Sequence, residues 1–183
     1  MSIGTTTMPV KALTERELTR VLTYVGLVLL SFELVKSLIV RPIKAFYSHV
    51  TFGPGMPFKS YEEDVLSRHR NEFEACLLYL RDFMQAIDAD DMDAIQALRT
   101  HRNEVAHDLA DRLHVLRVEN YAPLLERADR ALFKLSNHQA YMEIGAEPEL
   151  QNQGIDWNTM KGHEYLLFEE VRRKIGLLED PAQ

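Results

Sequence analysis

Residues 14–41 read TERELTRVLTYVGLVLLSFELVKSLIVR, and this is the longest apolar helical pattern in the chain. Thr14 and Glu17 have the spacing of a capping box, in which each side chain bonds to the backbone N–H of the other residue. We therefore expect a helix to begin there and to run to about Arg41. Pro42 should kink or end it, because proline lacks the N–H that a helix interior needs, although Phe46 and Tyr47 can continue the helix beyond the proline.

The middle of this segment, residues 21–32, is almost wholly apolar, so a membrane span has to be considered. A span needs about 20 apolar residues without central charges, whereas Glu33 and Lys36 interrupt this segment. We favour a helix that is buried on several sides, in the core and in a contact between subunits. The residues before it lack the basic start and the apolar run of a signal peptide.

The rest of the chain also favours helices. Ser60 and Glu63 form a second capping-box pattern, and apolar residues recur with a helical period in four further segments. These segments are residues 61–87, 92–116, 120–142 and 163–178. We predict an all-α protein, an antiparallel four-helix bundle with an additional C-terminal helix. Residues 1–183 should form a single helical domain, with residues 1–12 disordered and residues 51–59 and 145–160 as loops.

The length, net charge and cysteine content of the chain limit the classes of protein to which it can belong. A chain of 183 residues with 46% hydrophobic residues can bury a core of its own. The net charge of −7 argues against broad, nonspecific coating of nucleic acid, although a small basic site remains compatible with it. Cys76 is the single cysteine, which excludes an intramolecular disulfide and fits a reducing compartment such as the cytoplasm. Its apolar neighbours predict that it is buried.

The third helical segment contains a charged residue at an unusual place. On a helical wheel with about 100° per residue, Arg102 falls in the middle of the apolar stripe. A guanidinium there must be paired, hydrogen-bonded or at an interface. Asn103, His107 and His114 share an adjacent flank, roughly 100–140° away. The stripe residues within about 40° of Arg102 are Ile95, Leu98, Ala106, Leu109 and Leu113.

The stretch Arg102-Asn103-x-x-x-His107 resembles the motif of the HEPN superfamily. That motif is an arginine, then a polar residue, then a histidine after a gap of four to six residues. Members of the family fold as bundles of four or five helices, which fits the predicted class. Many toxin-type members carry a tyrosine two residues after the histidine, where this chain has Leu109.

The resemblance implies a metal-independent endoribonuclease and hydrolase without a cofactor. It also implies a homodimer in which two copies of the motif face each other, in a toxin–antitoxin, anti-phage or stress-response context. RNA would be the substrate, and an antitoxin or another protein would be a further partner. His107 would act as the general base or acid, since imidazole titrates near neutral pH. Arg102 would stabilise the phosphorane-like transition state, and Asn103 would orient the histidine or the phosphate.

Two other interpretations remain open at the level of the sequence. The chain can be a non-catalytic helical interaction or dimerisation module, in which Arg102 is structural and pairs with a core carboxylate such as Glu33. It can also be a metal-binding helical bundle, because four potential ligands share one face of the third segment. Such sites need a second Glu-x-x-His on another helix, which this sequence lacks. The four residues are Glu104, His107, Asp111 and His114.

Overall fold

The computed structural model describes residues 13–114, 116–144, 150 and 153–179. These residues form helices, turns and loops, and no strand occurs among them, so the predicted all-α class is confirmed. The predicted disorder of residues 1–12, and residues 145–149 and 151–152 of the predicted loop, lie outside the described residues. The helices are α1 (Glu15–His49), α2 (Tyr61–Asp64), α3 (Glu72–Asp82), α4 (Ala89–His107), α5 (Leu109–Arg112), α6 (Ala122–Ile144) and α7 (His163–Glu179).

Helix α1 begins at the predicted capping box and is longer than expected. Thr14 Oγ1 accepts a hydrogen bond from the Glu17 N–H, and the Glu17 carboxylate accepts one from the Thr14 N–H. The helix then continues through Pro42 to His49, so an end near Arg41 is wrong. Pro42 leaves the Leu38 carbonyl without its helical donor, and the Gln139 side chain of α6 donates to that carbonyl at 2.5 Å. The chain can stay helical because a second helix satisfies this group.

The second predicted helix, residues 61–88, is broken into pieces. Helix α2 ends at Asp64, a 3₁₀ turn covers Leu66–Arg68, and α3 begins only at Glu72. Asn71 explains the break, because its side chain accepts from the Glu74 N–H and caps α3. An asparagine that satisfies an N-terminal N–H in this way favours an extended backbone at its own position.

The third predicted helix also ends earlier than expected. Helix α4 starts with a reciprocal capping box between Asp88 and Asp91 and stops at His107. The backbone of Asp108 leaves the helical region, with φ −110° and ψ 18°, and the short α5 follows. Helices α6 and α7, in contrast, lie close to their predicted bounds.

The core forms where the long helices meet. Helix α1 packs along α7 and against α3 and α4, while α4 packs along α6. Cys76 is fully buried in this core, as predicted. The predicted arrangement as an antiparallel four-helix bundle stays a prediction. The largest fully buried side chains include Tyr24, Ile39, Leu77, Ile95, Leu98, Leu132, Leu135, Phe168 and Ile175.

Helix α1 is long and apolar enough to cross a membrane, judged by length and composition alone. Half of its most apolar window is buried against the rest of the protein. The buried core helix of a water-soluble protein passes the same test, so this property does not by itself place the chain in a membrane.

Candidate functional site

Arg102 lies at the edge of the apolar stripe of α4, and its predicted place in the middle of the stripe is wrong. The buried residues of α4 are Ala94, Ile95, Leu98, His101 and Val105. Ala106, which the prediction included, is exposed, and His101, which it left out, is buried. The stripe is therefore centred on the His101 side of Arg102, and the Arg102 side chain keeps 29% of its surface exposed.

The Arg102 guanidinium is held by three neighbours. Its Nη1 donates to Asn103 Oδ1 at 3.1 Å. Its Cζ lies 5.6 Å from the centre of the Phe32 ring, within the range of a cation–π contact. Its Nη2 lies 3.7 Å from Glu33 Oε1, so the ion pair considered from the sequence does form. Glu33 is 59% exposed, however, and is not a core carboxylate; such an exposed pair contributes little to stability.

His107 is the last residue of α4 and is exposed. A separation of five residues places it about 140° around the helix from Arg102. Asn103 lies between them on the wheel, about 40° from His107. The structure thus brings Arg102 and Asn103 together, and among the described residues it shows no contact between Arg102 and His107.

Arg99, one turn before Arg102, has almost the same setting. Its Cζ lies 5.5 Å from the Phe73 ring, and its guanidinium pairs with Glu74. The Arg99 side chain is 28% exposed. The Phe32 and Phe73 rings contact each other, with centroids 5.4 Å apart. Arg99 is therefore a matched structural counterpart of Arg102 that lies outside the motif.

His101 is a residue that the sequence analysis missed. Only 3% of it is exposed, and its Nε2 hydrogen-bonds to the Tyr24 hydroxyl at 2.7 Å. Its ring stacks on Tyr121 with centroids 3.7 Å apart. Desolvation by burial, with a smaller effect of Arg112, lowers the pKa of His101 to about 4, so the ring is neutral at pH 7. Buried positions 94, 98, 101 and 105 recur at steps of four and three, and this helical spacing could have identified His101 as a core residue.

The ligands of the predicted metal alternative do not converge. Glu104 pairs with Arg112 at 3.1 Å, and Arg112 also lies 3.7 Å from Asp108. Across the described ranges, no group of three or more His, Cys, Asp and Glu side chains could hold a metal ion. The set Glu104, His107, Asp111 and His114 is therefore not assembled in this structure.

No protein-family model, no curated protein and no solved structure matches the chain. The resemblance of residues 102–107 to the HEPN motif stays a prediction.

Proposed function

We propose that the chain is a HEPN-like, metal-independent endoribonuclease. The proposal is supported most by the state of the Arg102 guanidinium, which is fixed by Asn103 and Phe32 while part of it still faces solvent. A preorganised cation that can reach a substrate is what stabilisation of a phosphorane requires. The exposed His107 follows on the same helix.

The proposed reaction is attack of a ribose 2′-hydroxyl on the adjacent phosphorus. His107 takes the proton of the hydroxyl, the P–O5′ bond breaks, and the resulting His107 imidazolium gives a proton to the leaving 5′-oxygen. Arg102 donates hydrogen bonds to the equatorial phosphorane oxygens. Asn103 Oδ1 accepts from Arg102 and keeps the guanidinium oriented. The products carry a 2′,3′-cyclic phosphate and a 5′-hydroxyl.

The proposal includes a homodimer, since Arg102 and His107 of one chain point in different directions. In it, Arg102 of one copy acts with His107 of the other. Helix α1 offers an apolar face for association, because Leu18, Leu22 and Leu30 are exposed and recur at multiples of four residues. A cytoplasmic location, a toxin–antitoxin, anti-phage or stress-response role, and an antitoxin or other protein partner belong to the same proposal.

The finer packing is proposed as well: an antiparallel four-helix bundle with an additional C-terminal helix. Arg20, near the start of α1, donates to the carbonyl of Leu178 near the end of α7. Lys134 in α6 pairs with Asp88 and Asp91 at the start of α4. The stack of His101 on Tyr121 joins the later half of α4 to the start of α6. Antiparallel neighbours account for all of these contacts.

A second candidate is a non-catalytic helical interaction module. This candidate is favoured by the similarity of Arg102 to Arg99. Both arginines of α4 pack over a phenylalanine ring, so Arg102 can have a purely structural role. In that case the exposed leucines of α1 would be the functional surface, and residues 102–107 would have no chemical role.

Cleavage of total RNA in EDTA separates the two candidates. The wild type should cleave, and Arg102→Ala and His107→Ala should each lower the rate about 100-fold or more. Arg99→Ala and His163→Ala are the matched controls and should cleave like the wild type, since His163 is an exposed histidine at the start of α7. An inactive wild type, or equal cleavage by all five proteins, would exclude the nuclease and leave the interaction module.

A further inference from the structure

A pocket of about 500 Å³ opens where the last turns of α1, the end of α3 and the last turns of α6 meet. None of its lining residues belongs to α4, so the pocket is separate from the motif. Its volume lies within the range of small-molecule sites, which is roughly 300–1,000 Å³, and such sites often form between the helices of a bundle.

The walls of the pocket are mainly apolar. Ile43 and Phe46 come from α1, Leu80 from α3, Met84 from the segment after α3, and Met142 from α6. Methionine side chains are flexible and polarisable, and they adapt to ligands of different shapes. The pocket is therefore suited to a compact apolar body.

The pocket is held open by bonds between helices. The Gln139 amide, which lines it, donates to the Leu38 carbonyl and fixes α6 against α1 beside Pro42. The Tyr47 and Tyr79 hydroxyls share a hydrogen bond at 3.2 Å, which joins α1 to α3. A cavity built on such cross-links exists before a ligand arrives, which lowers the cost of ordering on binding.

The electrostatics of the pocket favour a cation. Among the described residues that line it, Glu143 has the one carboxylate, and no lysine or arginine is present. Burial lowers the pKa of His138, which keeps its ring neutral at pH 7, and raises the pKa of the Tyr79 hydroxyl. His49 hydrogen-bonds its Nδ1 to the Ala45 carbonyl. Phe46 and Tyr79 also line the pocket and add no charge to it at pH 7.

We propose that this pocket binds a small molecule that has an apolar body and a single positively charged amine. The apolar body fills the space between the helices, and the amine lies beside Glu143. This inference does not depend on the proposed ribonuclease activity.

Titration with three probes of the same apolar body tests the proposal. Phenylbutylamine, phenylbutanol and 5-phenylvalerate share a phenylbutyl body and differ only in a cationic, neutral or anionic head group. We expect the amine to bind tightest and the carboxylate about five-fold or more weaker. The methionine methyl resonances of Met84 and Met142, followed by NMR, should shift and then saturate. Binding that leaves both resonances unchanged, or a carboxylate that binds as tightly as the amine, would overturn the proposal.

Three variants sharpen the test. Glu143→Gln should weaken the amine about five-fold and leave the affinity for the alcohol unchanged, while Glu126→Gln, an exposed carboxylate elsewhere on α6, should change neither. Ala45→Trp fills the pocket from an exposed position on α1 and should abolish binding of all three probes. If the wild type binds no probe, and Ala45→Trp instead lowers the mass measured by light scattering, the pocket is a contact between copies and the proposal fails.

Discussion

At the scale of single residues, the most informative pair is Arg99 and Arg102. Each lies over a phenylalanine ring, each pairs with a glutamate, and the two have nearly equal exposure. Two features differ. Glu74, the partner of Arg99, is 15% exposed, whereas Glu33, the partner of Arg102, is 59% exposed; and Arg102 is bonded to Asn103 and is followed by the exposed His107. A loss of function confined to Arg102 would therefore reflect chemistry rather than packing.

His101 makes folding sensitive to acid. Its pKa is about 4 in the folded protein and about 6.5 in the unfolded chain. Between these values the unfolded state binds more protons, so stability is complete above pH 6.5 and declines as the pH falls towards 4. The contribution that is lost is about 3 kcal/mol.

Urea unfolding of the wild type and of His101→Gln between pH 7.5 and 4 measures this contribution. The free energy of unfolding of the variant should be lower at pH 7.5, and it should fall less steeply across the range. Because His138 and the carboxylates are common to both proteins, their effects cancel in the difference. Parallel pH profiles of the two proteins would show that His101 does not titrate as described.

At the scale of elements, α1 crosses Pro42 because α6 supplies a hydrogen bond. Gln139→Leu should leave the buried Leu38 carbonyl unpaired and lower the free energy of unfolding by about 1–3 kcal/mol. Pro42→Ala restores the helical N–H four residues after Leu38. The effect of Gln139→Leu should therefore shrink in the Pro42→Ala background. A double-mutant cycle measures this coupling, and additive effects of the two substitutions would contradict it.

The predictability of each element follows from the range of the interactions that define it. The capping box at Thr14 and the apolar periods of α6 and α7 are local, and they could be predicted from the sequence. The continuation past Pro42 depends on Gln139, which is 101 positions away from the Leu38 carbonyl that it satisfies, and it could not be predicted. The break at Asn71 is also local, because it is due to the N-cap that the Asn71 side chain forms. It was not predicted, because apolar residues follow a helical period on both sides of Asn71 and indicate one continuous helix.

The candidate site shows the same division. The motif residues and the pairing of Arg102 with Glu33 were accessible from residue types and spacing. The helical spacing of positions 94, 98, 101 and 105 could also have indicated that His101 is buried. Its bond to Tyr24 and its stack on Tyr121 could not be predicted, because these partners belong to other parts of the chain. When His101 is included in the apolar stripe of α4, the centre of the stripe shifts and Arg102 lies at its edge, towards solvent.

At the scale of the whole molecule, the proposed dimer depends on the apolar face of α1. Light scattering at micromolar concentration should give twice the chain mass of 21.1 kDa. Leu22→Glu with Leu30→Glu should give monomers that keep the helical circular dichroism of the wild type, since both side chains are about half exposed. Leu167→Glu, an exposed leucine on α7, should remain dimeric. A monomeric wild type would remove the basis for a shared site.

The most direct test of a site shared between two chains is complementation in a mixed dimer. Arg102→Ala and His107→Ala, each nearly inactive alone, are unfolded together, refolded as a mixture and assayed on RNA in EDTA. If Arg102 of one chain acts with His107 of the other, each mixed dimer has one intact site, and activity should return to about a quarter of the wild-type value. A mixture no more active than the separate variants, beside an active wild type, would contradict the shared site.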